Sequence, residues 1–201
     1  MDQPPLEDTQ ATWPVVSSED LFRDDWVLAL RRDVVHVPGH GEETFRRLVL
    51  EHPGAAVVLA ADARGRVCLL RQYRHAAGAW FIELPAGLCD TEGEDPLVVA
   101  QRELREEAGL AAEEWTLLGS TYSSPGITTE RVHLYLAQGL TEVGRGGFEP
   151  THEEAEMQVF WASLEDVLEA ILDGRVSDGP TVLAVLLTVT RTLSARGAPR
   201  E

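Results

Sequence analysis

Apolar and polar positions alternate in short runs along most of this chain, and in three stretches the apolar spacing lengthens to that of a helix. "WVLALRRDVVHVPG" reads as one or two strands ending in a Pro-Gly turn, and "ETFRRLVLEHPG" as a further strand of mixed pattern. "AAVVLAADARGRVCLLRQYRH" has two β-rich apolar runs around a turn near Asp62–Gly65, the pattern of a hairpin. "AWFIELPAG" is a strand that stops at Pro85 and Gly87. "WTLLGSTYSSPG", "TERVHLYLAQGL" and "AEMQVFWASL" give three more strands. Helices are expected from about Pro96 to Ala108, over "SLEDVLEAILDG" behind an N-cap serine, and over "SDGPTVLAVLLTVTRTLSARG". Residues 1–20 read as a loose arm. Mixed strands with inserted helices favour an α+β fold or a layered α/β/α sandwich over a doubly wound parallel sheet.

Composition narrows the function classes. The chain has 201 residues, 44% of them apolar, enough for one sizeable core with a small appended region. The longest apolar run, "TVLAVLLTVT", is too short to span a bilayer, and the acidic, Pro-rich start is unlike a signal or transit peptide. Cys68 and Cys89 are the two cysteines, expected as free thiols in a reducing cytoplasm. A net charge of −17 argues against nucleic acid and anionic membrane as partners. It leaves open a small phosphorylated substrate, because a divalent cation reverses the local sign. All 17 basic residues are arginine, so lysine Schiff-base and P-loop chemistry have no residue to use. No Gly-x-Ser-x-Gly elbow is present, and His75, His133 and His152 lack metal-binding spacing.

Candidate chemistry concentrates in the helix after Pro96. Pro96 suits the first turn, Glu94 and Asp95 favour the positive end of the dipole, and Gly109 suits the position that ends a helix. Leu97, Ala100, Leu104 and Ala108 form one apolar stripe. Glu103, Glu106 and Glu107 stand at i, i+3 and i+4, so they share a face. Like charges so spaced cost about 0.2–0.5 kcal/mol per pair in an isolated helix, which Arg102, four before Glu106, offsets in part. Two readings fit: a solvated acidic face, or a hard-cation site for Mg²⁺ or Mn²⁺. Spacing alone does not choose.

The longer stretch "ELPAGLCDTEGEDPLVVAQRELREEAGL" resembles the Nudix box. Its second half matches at Arg102, Glu103, Leu104, Glu106, Glu107, Gly109 and Leu110. It departs once: six residues, not five, separate Gly87 from Glu94, so no role is carried to Glu92 or Glu94. "ELPAG", "RQYRHA", "SSPGITTERVHLYLA" and "HEEAEM" resemble the ADP-ribose pyrophosphatase branch of that family, from about residue 20 to 190.

The resemblance implies a mixed sheet in an α/β/α sandwich over residues 53–196, with residues 21–52 as strands that pair across a homodimer. It implies hydrolysis of ADP-ribose to AMP and ribose 5-phosphate, dependent on Mg²⁺ with Mn²⁺ as the substitute. The ion would be held by Glu103, Glu106, Glu107 and the Ala86 carbonyl. The base would be Glu154, with neighbouring Glu153 the alternative, on a Gly-rich segment. Arg74 would bind phosphate or ribose, Glu83 and Glu130 would accept from ribose hydroxyls, and Arg47, with Arg46, would reach the partner subunit's site. Trp26, Trp80 and Phe81 are candidates for stacking on adenine, although large aromatics more often fill cores. Another nucleoside diphosphate sugar, a dinucleotide or a flavin diphosphate offers the same pyrophosphate. A binding-only sensor is the remaining alternative, and the intact box glutamates count against it.

Overall fold

The computed structural model describes residues 5–25, 28–147 and 156–197. By contacts the chain divides into two units, Met1–His52 with Ser124–Thr129, and Pro53–Ser123 with Glu130–Glu201.

The smaller unit is an antiparallel meander of β1 (Val15–Arg23), β2 (Ala29–His36) and β3 (Thr44–Glu51), with β2 in the middle. β1 begins inside the expected arm, so residues 15–20 form a paired strand rather than a loose segment. Every residue of β1 is exposed, which is why no buried alternation announced it. Polar cross-strand pairs hold it instead. The Ser18 hydroxyl donates to Asp33 at 2.7 Å, and Arg32 pairs with Glu19. Along β3, Leu50 N–H donates to the Ile127 carbonyl at 2.7 Å and its own carbonyl accepts from Thr129 at 3.0 Å.

The larger unit holds two sheets. β4 (Ala55–Ala60), β7 (Ala86–Leu88), β8 (Leu110–Tyr122) and β9 (Arg131–Glu142) run in the order β7-β4-β9-β8, with only the β4–β9 pair parallel. β5 (Arg66–Arg74) lies between β6 (Ala79–Glu83) and β10 (Gln158–Ser163), antiparallel to both. Among the described residues three α-helices complete it: α1 (Pro96–Ala108), α2 (Leu164–Leu172) and α3 (Gly179–Gly197).

β4 explains the layering. Its side chains alternate faces, so Val57 and Leu59 enter one apolar cluster with Val67, Leu69, Leu134 and Val185 of α3. Ala56, Val58 and Ala60 enter a second cluster with Val99, Ala100 and Leu104 of α1. Burying each of these large side chains contributes about 1.5–3 kcal/mol. A mixed sheet with helices on both faces is the α/β/α sandwich that the element order predicts.

The expected hairpin forms only in part. The turn at Asp62–Gly65 forms: Gly65 N–H donates to the Asp62 carbonyl at 3.0 Å, and the Asp62 carboxylate accepts from the Arg64 and Arg66 amides at 2.9 and 2.8 Å. The flanking strands do not form a hairpin. Beyond a single bridge, Ala61 to Val67, β4 and β5 part into different sheets. Each is buried on both faces and needs a partner on each edge, which a two-stranded ribbon cannot give.

Candidate active site

Local chemistry sets both ends of α1. The Asp95 carboxylate accepts from Leu97 N–H at 2.9 Å, and Pro96 fills the first turn. Gly109 adopts φ 69°, and its N–H donates to the Arg105 carbonyl at 2.9 Å. Val99, Ala100 and Leu104 are buried, while Leu97 and Ala108 pack at the edge of the same cluster. That burial fixes the helix's rotation. It leaves Glu103 and Glu106 half-buried and drives Glu107 to 5% exposure.

Glu107 is buried against a partner. Its Oε2 accepts from the Ala86 N–H at 2.8 Å. The corner carrying Ala86 is itself pinned: Leu84 N–H donates to the buried Thr181 hydroxyl at 3.1 Å, and Val58 N–H to the Pro85 carbonyl at 2.8 Å. Glu103 meets the same corner one residue on. A Cβ at Gly87 would fall 2.1 Å from the Glu103 carboxyl carbon and Oε1, so the carboxylate occupies the space that the glycine leaves. Thr181 was not foreseen; its only sequence signal is a hydroxyl three residues after Asp178, whose carboxylate accepts from the Thr181 N–H at 2.9 Å.

Three like charges on one face need a counter-charge, and Arg102 supplies it. Its guanidinium lies 2.6 Å from Glu103, 3.5 Å from Glu106 and 4.0 Å from Glu94. Burial disfavours that cation, but Glu103, Glu106, Glu94 and Asp90 outweigh it and hold the arginine's pKa above its ordinary value. Glu94 is an addition to the sequence reading. The longer loop still delivers its carboxylate to the cluster, and its buried Oε2 has no hydrogen-bond partner among the described residues.

Arg74 and Glu83 sit together on the β5–β6 pair. Arg74 Nε and Nη2 reach the Glu83 carboxylate at 2.9 and 2.6 Å, a two-pronged pairing on an acid only 6% exposed. The hydrogen bond to Glu83 raises the Arg74 pKa, with further support from Glu107 and Asp178. Glu130 is half-buried just before β9, where its carbonyl accepts from Ser123 N–H at 3.4 Å. Arg47 belongs to the smaller unit, exposed on β3 with its guanidinium 4.4 Å from the Phe45 ring centroid. Trp80 is not a core residue: it is exposed, with the Arg71 guanidinium 4.3 Å from its ring centroid, whereas Phe81 is half-buried. His133 shares a 2.9 Å hydrogen bond with Ser120, and burial lowers its pKa. Trp26, His152, Glu153 and Glu154 lie outside the described residues.

The side chains gathered around α1 offer only oxygen donors, from Glu103, Glu106 and Glu94 about Arg102 and from Glu107 against the Ala86 N–H. Such donors suit a hard divalent cation. Among the described residues no three or more of His, Cys, Asp and Glu are gathered closely enough to enclose an ion. Arg102 instead stands among the carboxylates as their positive charge. The glycine-made space for Glu103, the Glu94 oxygen without a hydrogen bond and the arginine drawn into the cluster mark a place that favours positive charge.

The chain is similar to known proteins. The family model described as NUDIX domain matches residues 50–184. A Mycobacterium tuberculosis protein named ADP-ribose pyrophosphatase is 43% identical over 171 residues, covering 85% of this chain and 80% of that one. A Bacillus methanolicus protein named methanol dehydrogenase activator is 34% identical, covering 85% of this chain and 89% of the relative. A crystal structure titled as an ADP compounds hydrolase superposes with a TM-score of 0.72 at 19% identity, over 95% of this chain and 99% of its own. With the box glutamates on one helix, seated against the Ala86–Gly87 corner, and a family match over most of its length, this chain belongs to the Nudix family.

Proposed function

We propose that the protein hydrolyses the pyrophosphate bond of ADP-ribose, releasing AMP and ribose 5-phosphate. The observation that carries this is the seating of Glu103 and Glu107 on the Ala86–Gly87 corner. The identity of 43% with a relative named for that activity supports the substrate. Glu103, Glu106, Glu107 and the Ala86 carbonyl would hold a divalent ion, Mg²⁺ or Mn²⁺, which would supply positive charge toward the phosphoryl oxygens. Arg74, oriented by its Nε and Nη2 bonds to Glu83, binds a phosphate oxygen. Glu83 and Glu130 accept from ribose hydroxyls. Glu154, or Glu153 beside it, takes the proton of the attacking water.

The test is a panel of diphosphate compounds, namely ADP-ribose, other nucleoside diphosphate sugars, dinucleotides and flavin diphosphates, incubated with Mg²⁺ or with chelator. Chromatographic separation of products identifies both substrate and bond. ADP-ribose should be cleaved fastest, and only with metal. Glu107→Gln should lower kcat by roughly 100-fold or more while the thermal midpoint is kept. Preferred cleavage of another diphosphate would reassign the substrate within the same chemistry.

The smaller unit is proposed as the dimerisation region. Val16 is 63% and Phe22 62% exposed on β1, beside exposed Val15 and Leu21, more apolar surface than a solvated strand ordinarily carries. A homodimer would bring Arg47 of this unit to the partner's substrate. Light scattering across concentrations should report twice the 22.1 kDa chain mass, and Phe22→Glu should give the monomer. A wild-type monomer at all concentrations rejects the dimer. No helix among the described residues is long and apolar enough to cross a membrane. Cys68 and Cys89 are both free thiols, which supports a reducing cytoplasm.

A further inference from the structure

Gln72 lies in the middle of β5, 4% exposed, and its Oε1 is buried without a hydrogen-bond partner among the described residues. Buried amide oxygens are almost always paired, because the water they give up must be replaced. An orphan acceptor in a central strand therefore asks what donates to it.

Strand register says where this amide lies. Side chains at 68, 70, 72 and 74 of β5 share one face. Leu70 is paired with Glu83, which places Glu83 on that face as well. The Arg74–Glu83 ion pair, at 2.6 Å, shows the arrangement directly. Cys68, on the same face, belongs to the apolar cluster that holds Val99, Ala100 and Leu104 of α1, and the Glu107 charge acts on both Cys68 and Arg74, so this face looks toward α1. Gln72 thus stands next to the Arg74–Glu83 pair on the glutamate-bearing helix's side.

We propose that Gln72 is a substrate-selecting contact, whose amide oxygen accepts a hydrogen bond from a sugar hydroxyl of the nucleoside diphosphate sugar. The proposal rests on the diphosphate-hydrolase reading above. The ligand's chemistry narrows the donor. Its phosphates carry only acceptors, so an unpaired acceptor beside the phosphate-binding arginine is matched by a hydroxyl next to the diphosphate. A site built to hydrogen-bond a hydroxyl discriminates strongly against the analogue that lacks it, because the buried protein group is left unpaired.

Gln72→Met keeps the volume and removes the orphan acceptor. A merely structural glutamine would leave a less stable protein. A substrate contact gives the opposite: the thermal midpoint is unchanged or raised, while kcat/KM for ADP-ribose falls about tenfold or more. Deoxy analogues of ADP-ribose, each lacking one hydroxyl, complete the test. One analogue should be cleaved poorly by wild type yet lose nothing further in the variant, a non-additive pair. A lowered midpoint, kcat/KM within twofold of wild type, or additive losses for every analogue would overturn the assignment. Calorimetric binding of the methylene-bridged ADP-ribose analogue separates this from the activity itself. If wild type binds it without cleaving ADP-ribose and Gln72→Met binds more weakly, the contact stands and hydrolysis falls. If wild type does not bind it, both fall.

Discussion

A methyl group at position 87 would lie 2.1 Å from the Glu103 carboxyl carbon, so no side chain fits there while that carboxylate keeps its place. The constraint is contact, not backbone conformation, because Gly87 is absent from the glycines of positive φ. Gly87→Ala must therefore move Glu103, and Glu103 already shares Arg102 with two neighbouring acids. The expected result is a rise in the Mg²⁺ concentration needed for half-maximal activity and a loss of roughly 10–100-fold in kcat/KM. A metal titration of the variant checks it. Unchanged metal dependence would remove Glu103 from the ion's ligands. The shared face of the glutamates was legible from spacing, because positions i, i+3 and i+4 fall on one side of any helix. Gly87's fit to Glu103, Thr181's hold on Leu84 and the orphaned amide of Gln72 were not, because each depends on a contact across the fold.

α1 shows what an element can declare in advance. Its ends fall at Pro96 and Ala108, as the sequence predicts, because proline, an aspartate cap and a left-handed glycine act locally and sterically. Asp95→Ala removes the acceptor for Leu97 N–H and should lower unfolding free energy by about 1 kcal/mol in urea titrations, with the m-value unchanged. Well below the melting range, metal-dependent activity should stay near wild type, since the buried face of Val99, Ala100 and Leu104 still orients the glutamates. A large activity loss in fully folded protein would instead place Asp95 in the site. Strand pairing was less legible. The turn at Asp62–Gly65 is local and was read correctly, but the partners of β4 and β5 are chosen by sheets assembled from distant segments. β7 is three residues long and β1 is exposed throughout, so neither carries a periodic apolar signal.

Over the whole molecule, stability has two sources that respond differently to acid. The larger unit is built on two apolar clusters, whose burial does not depend on carboxylate charge. The smaller unit has many exposed side chains and is laced by ion pairs among Arg23, Arg31, Asp20, Asp33 and Glu51. The Ser18 hydroxyl and Arg31 hold Asp33 below the usual carboxylate range, Arg31 and Arg23 do so for Glu51, and Arg23 for Asp20. A carboxylate with a lowered folded pKa binds fewer protons folded than unfolded at acid pH. Its contribution is therefore present above about pH 4 and lost as pH falls through the folded values. Hydrogen exchange read by mass spectrometry between pH 5 and 3, corrected for intrinsic rates, should show residues 15–51 losing protection first, while the strands at 55–74 and 110–142 persist. High salt at neutral pH should weaken the same segment selectively, since these exposed pairs are screened within about 3 Å at 1 M ionic strength. Simultaneous loss in both units would mean that the arginine–carboxylate lattice does not set the smaller unit's stability and that its apolar pairing does. The order of loss also bears on assembly, because a homodimer joined through β1 should dissociate as that protection disappears, before the glutamate-bearing helix unfolds.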